Sequence, residues 1–162
     1  NYLIKTGHKK VAFISGPQVG LGNRERLEGY TKSMKSAGLK VKEGWICEGT
    51  ADFEEGLDLA MNLLRRSDRP SAIVCATDLI AIGALKAAHA LGLSVPGDVA
   101  VTGFDDIPWA RLATPSLTTL RQPQNRIAKE SVNLLVDRIA EGDVSNPKRL
   151  MFEPDLIIRE SA

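Results

Sequence analysis

The run "VAVTGFDD" closes on two adjacent carboxylates, Asp105 and Asp106. Two arginines, Arg24 and Arg26, stand in "GNRERLEGY", and Thr77 and Asp78 stand in "CATDL". Guanidinium groups offer planar forks of donors, and carboxylates offer acceptors. This set suits a small polyhydroxylated or heterocyclic ligand, with each charged hydrogen bond contributing roughly 1.5–3 kcal/mol. Every one of these residues also has a plainer use. Arg24 fits a solvated helix start, and a salt bridge between Arg26 and Asp105 would account for both. Asp78 fits a helix N-cap, and Asp106 fits a structural residue in the turn into "IPWA".

Other chemistries find less support. "GPQVGLGN" follows an apolar run but lacks the G-x-x-x-x-G-K-[ST] phosphate loop, and "GLGNRE" puts Glu25 where a dinucleotide loop needs glycine. There is no serine elbow, no C-x-x-C pair, and His8 and His89 stand alone. Adjacent aspartates on one strand end diverge, which makes a poor acid–base pair. The pattern offers no third acid for Mg²⁺. No catalytic residue, no metal and no cofactor are expected, and the chain is read as not an enzyme.

The elements that position these residues alternate. "KVAFIS" reads as a strand, then a helix over 24–37 with Leu27, Tyr30, Met34 and Ala37 at helical spacing. "GWICEG" is the next strand, followed by a helix over 53–66 that Asp52 caps. "SAIVCA" is a strand of continuous apolar character, as a strand covered on both faces should be. A helix follows, capped by Thr77 or Asp78 and stopped by Gly92, and "DVAVTGF" is a fourth strand. This order predicts an α/β fold, doubly wound, with a mostly parallel sheet and helices on both faces. Ligands of such sheets bind outside the carboxyl ends of the strands, where the loops with Arg24 and Arg26, Thr77 and Asp78, and Asp105 and Asp106 emerge. Beyond them lie a loop ("DDIPWARLATPS"), a short strand ("LTTL"), an amphipathic helix over 123–141, a surface turn ("EGDVSNPKR") and a last strand ("LIIRE").

Between Leu79 and Leu91 only Lys86 and His89 are strongly polar. A helix on a sheet should show water a polar face. This one is either a deeply buried central helix or part of a subunit interface.

The bulk numbers exclude several classes. The 162 residues suit one domain or one lobe of a larger one. Lys+Arg 21 against Asp+Glu 20 gives a net charge of +1, with no electrostatic footprint for nucleic acid in this segment. Cys47 and Cys75 sit in apolar, strand-like runs and read as reduced core residues. No run is apolar enough to span a membrane and no secretory signal is seen. The chain starts at Asn1, partway into a helix ("NYLIKTG"), and is read as part of a longer protein.

With "GHKKVAFISGP", "NRERLEGYTKSM", "ATDLIAIGALKAAHALGLSVPGDVAVTGFDD", "ATPSLTTLRQP" and "LIIRES" in order, the chain resembles the LacI/GalR family of bacterial transcriptional regulators along its whole length. The run from Ala76 to Pro123 is the most specific. The resemblance implies the second half of a two-lobed effector-binding region like that of periplasmic binding proteins. Residues 1–121 and 150–162 would form the C-terminal lobe, and 122–149 would belong to the N-terminal lobe. It implies a cytoplasmic regulator, a repressor that binds a sugar or related metabolite and meets operator DNA only through an N-terminal module absent here. Arg26 in "RLEGY" and Asp105 in "GFDD" match the family's common effector ligands, with Arg24 beside them. Thr77 stands where many members have Asn, and Ala51 where many carry an aromatic that stacks on ligand, with Phe53 two residues on. The implied partner is a second copy, through the helix from Leu79 to Leu91 and the region from Ile107 to Pro115. The apolar face of the helix over 123–141 (Ile127, Ala128, Val132, Leu135, Ile139) would lack its usual partners and repack, onto its own sheet or a second chain. A periplasmic sugar-binding protein of a transporter is the rival with the same fold. A flavodoxin-like enzyme or Mg²⁺-dependent phosphoacceptor is a second.

Overall fold

The structure, a computed structural model, describes residues 1–141 and 148–162. Its strands are β1 (Val11–Ser15), β2 (Ile46–Glu48), β3 (Ala72–Cys75), β4 (Ala100–Phe104), β5 (Thr118–Arg121) and β6 (Asp155–Ile157). Its helices are α1 (Tyr2–Lys5), α2 (Leu21–Ser36), α3 (Phe53–Leu64), α4 (Asp78–Ala90), α5 (Pro108–Leu112) and α6 (Gln124–Glu141). The sheet order is β2-β1-β3-β4-β5-β6, parallel throughout except for β6, which runs antiparallel to β5. The predicted doubly wound α/β architecture is present. From β1 the chain moves one way to β2, then returns across the sheet to β3 and β4. Right-handed crossovers therefore place α2 on one face and α3 and α4 on the other. Phe13 and Tyr30 stack at 5.1 Å between β1 and α2. The order reverses between β1 and β3, and that switch point locates the crevice for a ligand.

The helix from Leu79 to Leu91 owes most of its apolar character to its own chain. Ile80, Ala81, Ala84, Leu85, Ala87 and Ala88 of α4 are all buried. A Cβ on Gly56 of α3 would lie 2.7 Å from the Ile80 backbone, so the two helix axes approach as closely as glycine allows. Of the two readings offered for α4, the buried central helix accounts for this face. Leu79, Lys86, His89 and Ala90 remain exposed.

Three local expectations need correction. The loop after "GFDD" contains α5, a single turn with proline at its start, a position where proline's missing N–H costs nothing. The start of α2 is Leu21 rather than residue 24. The amphipathic helix does not repack onto its own sheet: Val132, Leu135, Val136 and Ile139 of α6 stay exposed, Ile139 at 74%. Only its other side, with Ile127 and Leu134 half-buried, leans on the returning segment at Leu150, Met151 and Phe152. Of the turn expected over 141–149, residues 142–147 lie outside the described residues.

Candidate ligand-binding site

Arg26 lies on α2, above the carboxyl ends of the strands. Its guanidinium carbon sits 4.0 Å from the centre of the Phe104 ring, and Nη1 donates to Asn23 Oδ1 at 3.2 Å. Asp105 follows Phe104 directly, and its Oδ1 accepts from Gln122 Nε2 at 2.8 Å. The salt bridge that would have accounted for both residues is not formed. Among the described residues, neither Arg26 nor Asp105 has a partner of opposite charge. A half-buried cation thus stacks on Phe104, and the half-buried carboxylate of the next residue in the chain is bonded to a neutral amide.

Arg24 stands elsewhere. An α-helix turns about 200° in two residues, so exposed Arg24 faces away from the Arg26–Phe104 stack. Thr77 ends up at the switch point as the N-cap of α4, its hydroxyl accepting from Ile80 N at 3.3 Å. Phe53 is the first residue of α3 and half-buried. Ala51 approaches β1 so closely that a Cβ on Gly16 would lie 2.7 Å from its own Cβ. Ala51 itself has φ of 73°, a left-handed conformation that favours glycine.

The roles of Asp78 and Asp106 are set by partners distant in sequence. Asp78 is not a helix cap. It is buried and brackets the acidic loop: Oδ1 accepts from Thr119 Oγ1 at 2.5 Å and Oδ2 from Ile107 N at 2.8 Å. Burial drives its carboxyl above the ordinary aspartate range. The bonds from Thr119 and Ile107 oppose that rise, and repulsion from Asp105 and Asp106 adds to it. A side chain on Gly103 would collide with this carboxylate, so glycine is needed there. Asp106 is structural, as expected, but through charge: Oδ2 accepts from Arg121 Nε and Oδ1 from Arg159 Nη2, each at 2.6 Å. Burial works against its ionisation, and the two guanidinium groups outweigh it and hold the carboxyl below the usual range. Sequence reasoning missed Asn23, Gln122, Arg121 and Arg159. The lone arginine in the apolar string "LIIRES" was the signal available for the last of these.

A hollow of about 420 Å³ lies on the α2 face of the sheet and is lined by apolar groups such as Val11, Phe13, Val74 and Leu120. Among the described residues that line it, Arg26 is the only one with a charged side chain. It is poorly suited to a polyhydroxylated ligand, which must exchange many water hydrogen bonds for protein ones. The polar groups gather at the strand ends.

The family described as "Periplasmic binding protein-like domain" matches residues 1–162. The chain belongs to the periplasmic binding protein-like family. It is 38% identical over 161 residues to the HTH-type transcriptional repressor PurR of Actinobacillus pleuropneumoniae serotype 3 (strain JL03), covering 99% of this chain and 48% of that protein. It is 39% identical over 160 residues to PurR of Escherichia coli O1:K1 / APEC, covering 99% of this chain and 47% of that protein. Among solved structures, the transcriptional regulator CelR–cellobiose complex superimposes with a TM-score of 0.93 at 38% identity, over 99% of this chain and 49% of that one. A regulatory protein of the LacI family from Chloroflexus aggregans does so at 0.91 and 38%, over 99% and 57%. The chain thus spans about half the length of the curated relatives it matches, and it corresponds to the C-terminal effector-binding region of LacI-family regulators. No helix among the described residues is long and apolar enough to cross a membrane.

Proposed function

We propose that this chain is the effector-sensing part of a cytoplasmic LacI-family transcriptional repressor, without catalytic activity. The observation that carries the reading is Arg26, stacked on Phe104, together with Asp105, the next residue along the chain: both are half-buried, and among the described residues neither is paired with an opposite charge. A ligand with an acceptor edge and a donor edge completes both. Sugars and related polyhydroxylated metabolites have such edges, and the CelR relative was solved with cellobiose. Arg26 and Asp105 are the central ligand groups, with Thr77 and Phe53 at the margin of the crevice. Arg24 is the weakest member of the set, because α2 turns it away. The curated relatives are repressors, which supports a regulator over a transporter receptor.

Residues 1–121 and 150–162 form one lobe of the effector-binding region in this proposal, and 122–149 pack with the other lobe. The chain pairs with a second copy through Leu79, Trp109 and Leu112. The bond from Ile107 to Asp78 sets the starts of α4 and α5 side by side, and Trp109 is 63% and Leu112 66% exposed there. Operator DNA is met through an N-terminal module, and a two-fold protein suits a two-fold operator.

Calorimetric titration of the full-length regulator with cellobiose, glucose, ribose and adenine tests the site. At least one compound is expected to bind, and Arg26→Ala and Asp105→Asn are each expected to weaken it tenfold or more. That is the loss of a charged hydrogen bond of about 1.5–3 kcal/mol. Binding that survives both changes would place the effector elsewhere.

A further inference from the structure

We propose that Asp106 is a positioning residue that ties the ligand loop to the outgoing and returning strands of the α6 crossover, so that engagement of Asp105 is transmitted to α6. The inference rests on the reading of Asp105 as a ligand group.

The chain leaves β5 at Arg121, passes through Gln122 into α6, and returns through β6 to Arg159. Asp106 grips both ends of that excursion, Arg121 on the way out and Arg159 on the way back. Its side chain is only 7% exposed. Arg159 is itself fixed at the start of β5: Nη1 donates to the O of Leu117, the residue before the strand, at 2.7 Å, and its backbone N donates to Thr118 Oγ1 at 2.9 Å. Asp105 interlocks with the same strand end. Its N–H donates to Leu120 O at 2.9 Å, and its carboxylate holds Gln122, the residue after Arg121.

The loop has little freedom to absorb a displacement. Asp105 and Asp106 have φ of 114° and 53°, two consecutive non-glycine residues in a region that L-residues rarely occupy. The next residue, Ile107, is pinned by Asp78. A ligand donor that reaches the Asp105 carboxylate meets it beside Gln122, and any shift of Asp105 moves Asp106 with it. Because the Asp106 carboxylate is bonded to Arg121 and Arg159, the shift passes to the strands that aim α6. Coupling of this kind requires that ligand binding differ between two arrangements of the crossover.

The test uses the full-length regulator and whichever of cellobiose, glucose, ribose and adenine titrates it. Amide hydrogen exchange is followed with and without that compound in wild type and in Asp106→Asn. In wild type the compound is expected to slow exchange at least threefold both in the acidic loop and in the first turns of α6. In Asp106→Asn the compound should still bind within about threefold of wild type and still protect the loop, while protection of α6 is lost. Protection of α6 that persists in the variant overturns the proposal. So does a variant that loses binding and α6 protection in proportion, because Asp106 would then only hold the site together. If Asp106→Asn does not fold, Arg121→Gln carries the same two readouts, since it removes one arm from a half-exposed position. Should no compound bind wild type, the site reading fails and this inference falls with it. That failure is distinguished from loss of coupling by the wild-type titration alone.

Discussion

At Asp106 a carboxylate and two guanidinium groups form one unit, and the sign of its response to acid follows from its surroundings. Burial disfavours ionisation, yet Arg159 and Arg121 hold the folded-state value below the usual range. The stabilisation is therefore present above the unfolded-state value of about 3.9 and is lost as the pH falls through the depressed folded value. Asp106→Asn is expected to destabilise by about 2–3 kcal/mol at pH 7, because it strands the 15%-exposed Arg159 beside a neutral amide. Melting curves from pH 7 down to 3 should show that deficit shrinking. A deficit that stays constant would mean that the ion pairs contribute no stability. Asp78 has the opposite sign. Burial raises its carboxyl, so the folded form holds its proton longer than the unfolded form, and stability falls as the pH rises from the unfolded value through the raised one. The deficit of Asp78→Asn is thus expected to narrow between pH 4 and pH 7 in the same melts, while that of Asp106→Asn grows.

The contact between α3 and α4 sets a different kind of limit. A Cβ on Gly83 would lie 2.6 Å from Leu57 N, and this neighbour is backbone that cannot rotate aside. Alanine improves helix propensity by about 1 kcal/mol, but forced overlap in a packed interior costs roughly 1–3 kcal/mol. Gly83→Ala is therefore expected to lower unfolding free energy in urea by up to about 2 kcal/mol, and Gly83→Val by more. An unchanged midpoint for both would show that the helices separate freely. Elements of this kind were legible because their signal is local. The apolar runs of β1, β3 and β4, the helical spacing of Tyr30 and Met34, and the caps at Asp52 and Thr77 all act within a few residues. The five-residue α5 is too short to show a period, and its single cue was Pro108 at the first position. The site was legible only in part for a related reason. Arg26 and Asp105 stood out by type and place. Their partners did not, because Asp105–Gln122 spans 17 residues and Asp106–Arg159 spans 53. No spacing rule reaches so far. Asp78 was read as a cap because its position at the start of α4 invites that use. Thr77 took the cap, and the parallel alignment of β4 with β5 brought Thr119 and Ile107 to Asp78 instead.

On the scale of the whole molecule, the unresolved balance is between the surface this lobe buries for itself and the surface it leaves for other parts. The α6 face with Val132, Leu135, Val136 and Ile139 is apolar and exposed, and nothing on its own sheet reaches it. In the proposed division this face belongs to the interior of the other lobe. Burial of one such side chain contributes about 1.5–3 kcal/mol, and a charge placed there would have to be desolvated as well. The same substitution should therefore have opposite consequences in two settings. In the full-length regulator Ile139→Glu is expected to lower stability by at least about 2 kcal/mol in urea unfolding. In the 162-residue chain expressed alone, the residue is 74% exposed, and the change should leave the unfolding midpoint within about 0.5 kcal/mol of wild type while reducing concentration-dependent self-association in sedimentation. Leu112→Glu provides the contrast. It sits on the α5 patch assigned to the second copy, so it should weaken dimerisation of the full-length protein and spare its unfolding midpoint once the protomers are apart. If Ile139→Glu were silent in the full-length protein, α6 would not be covered by the other lobe, and the division at residues 121 and 150 would have to be redrawn.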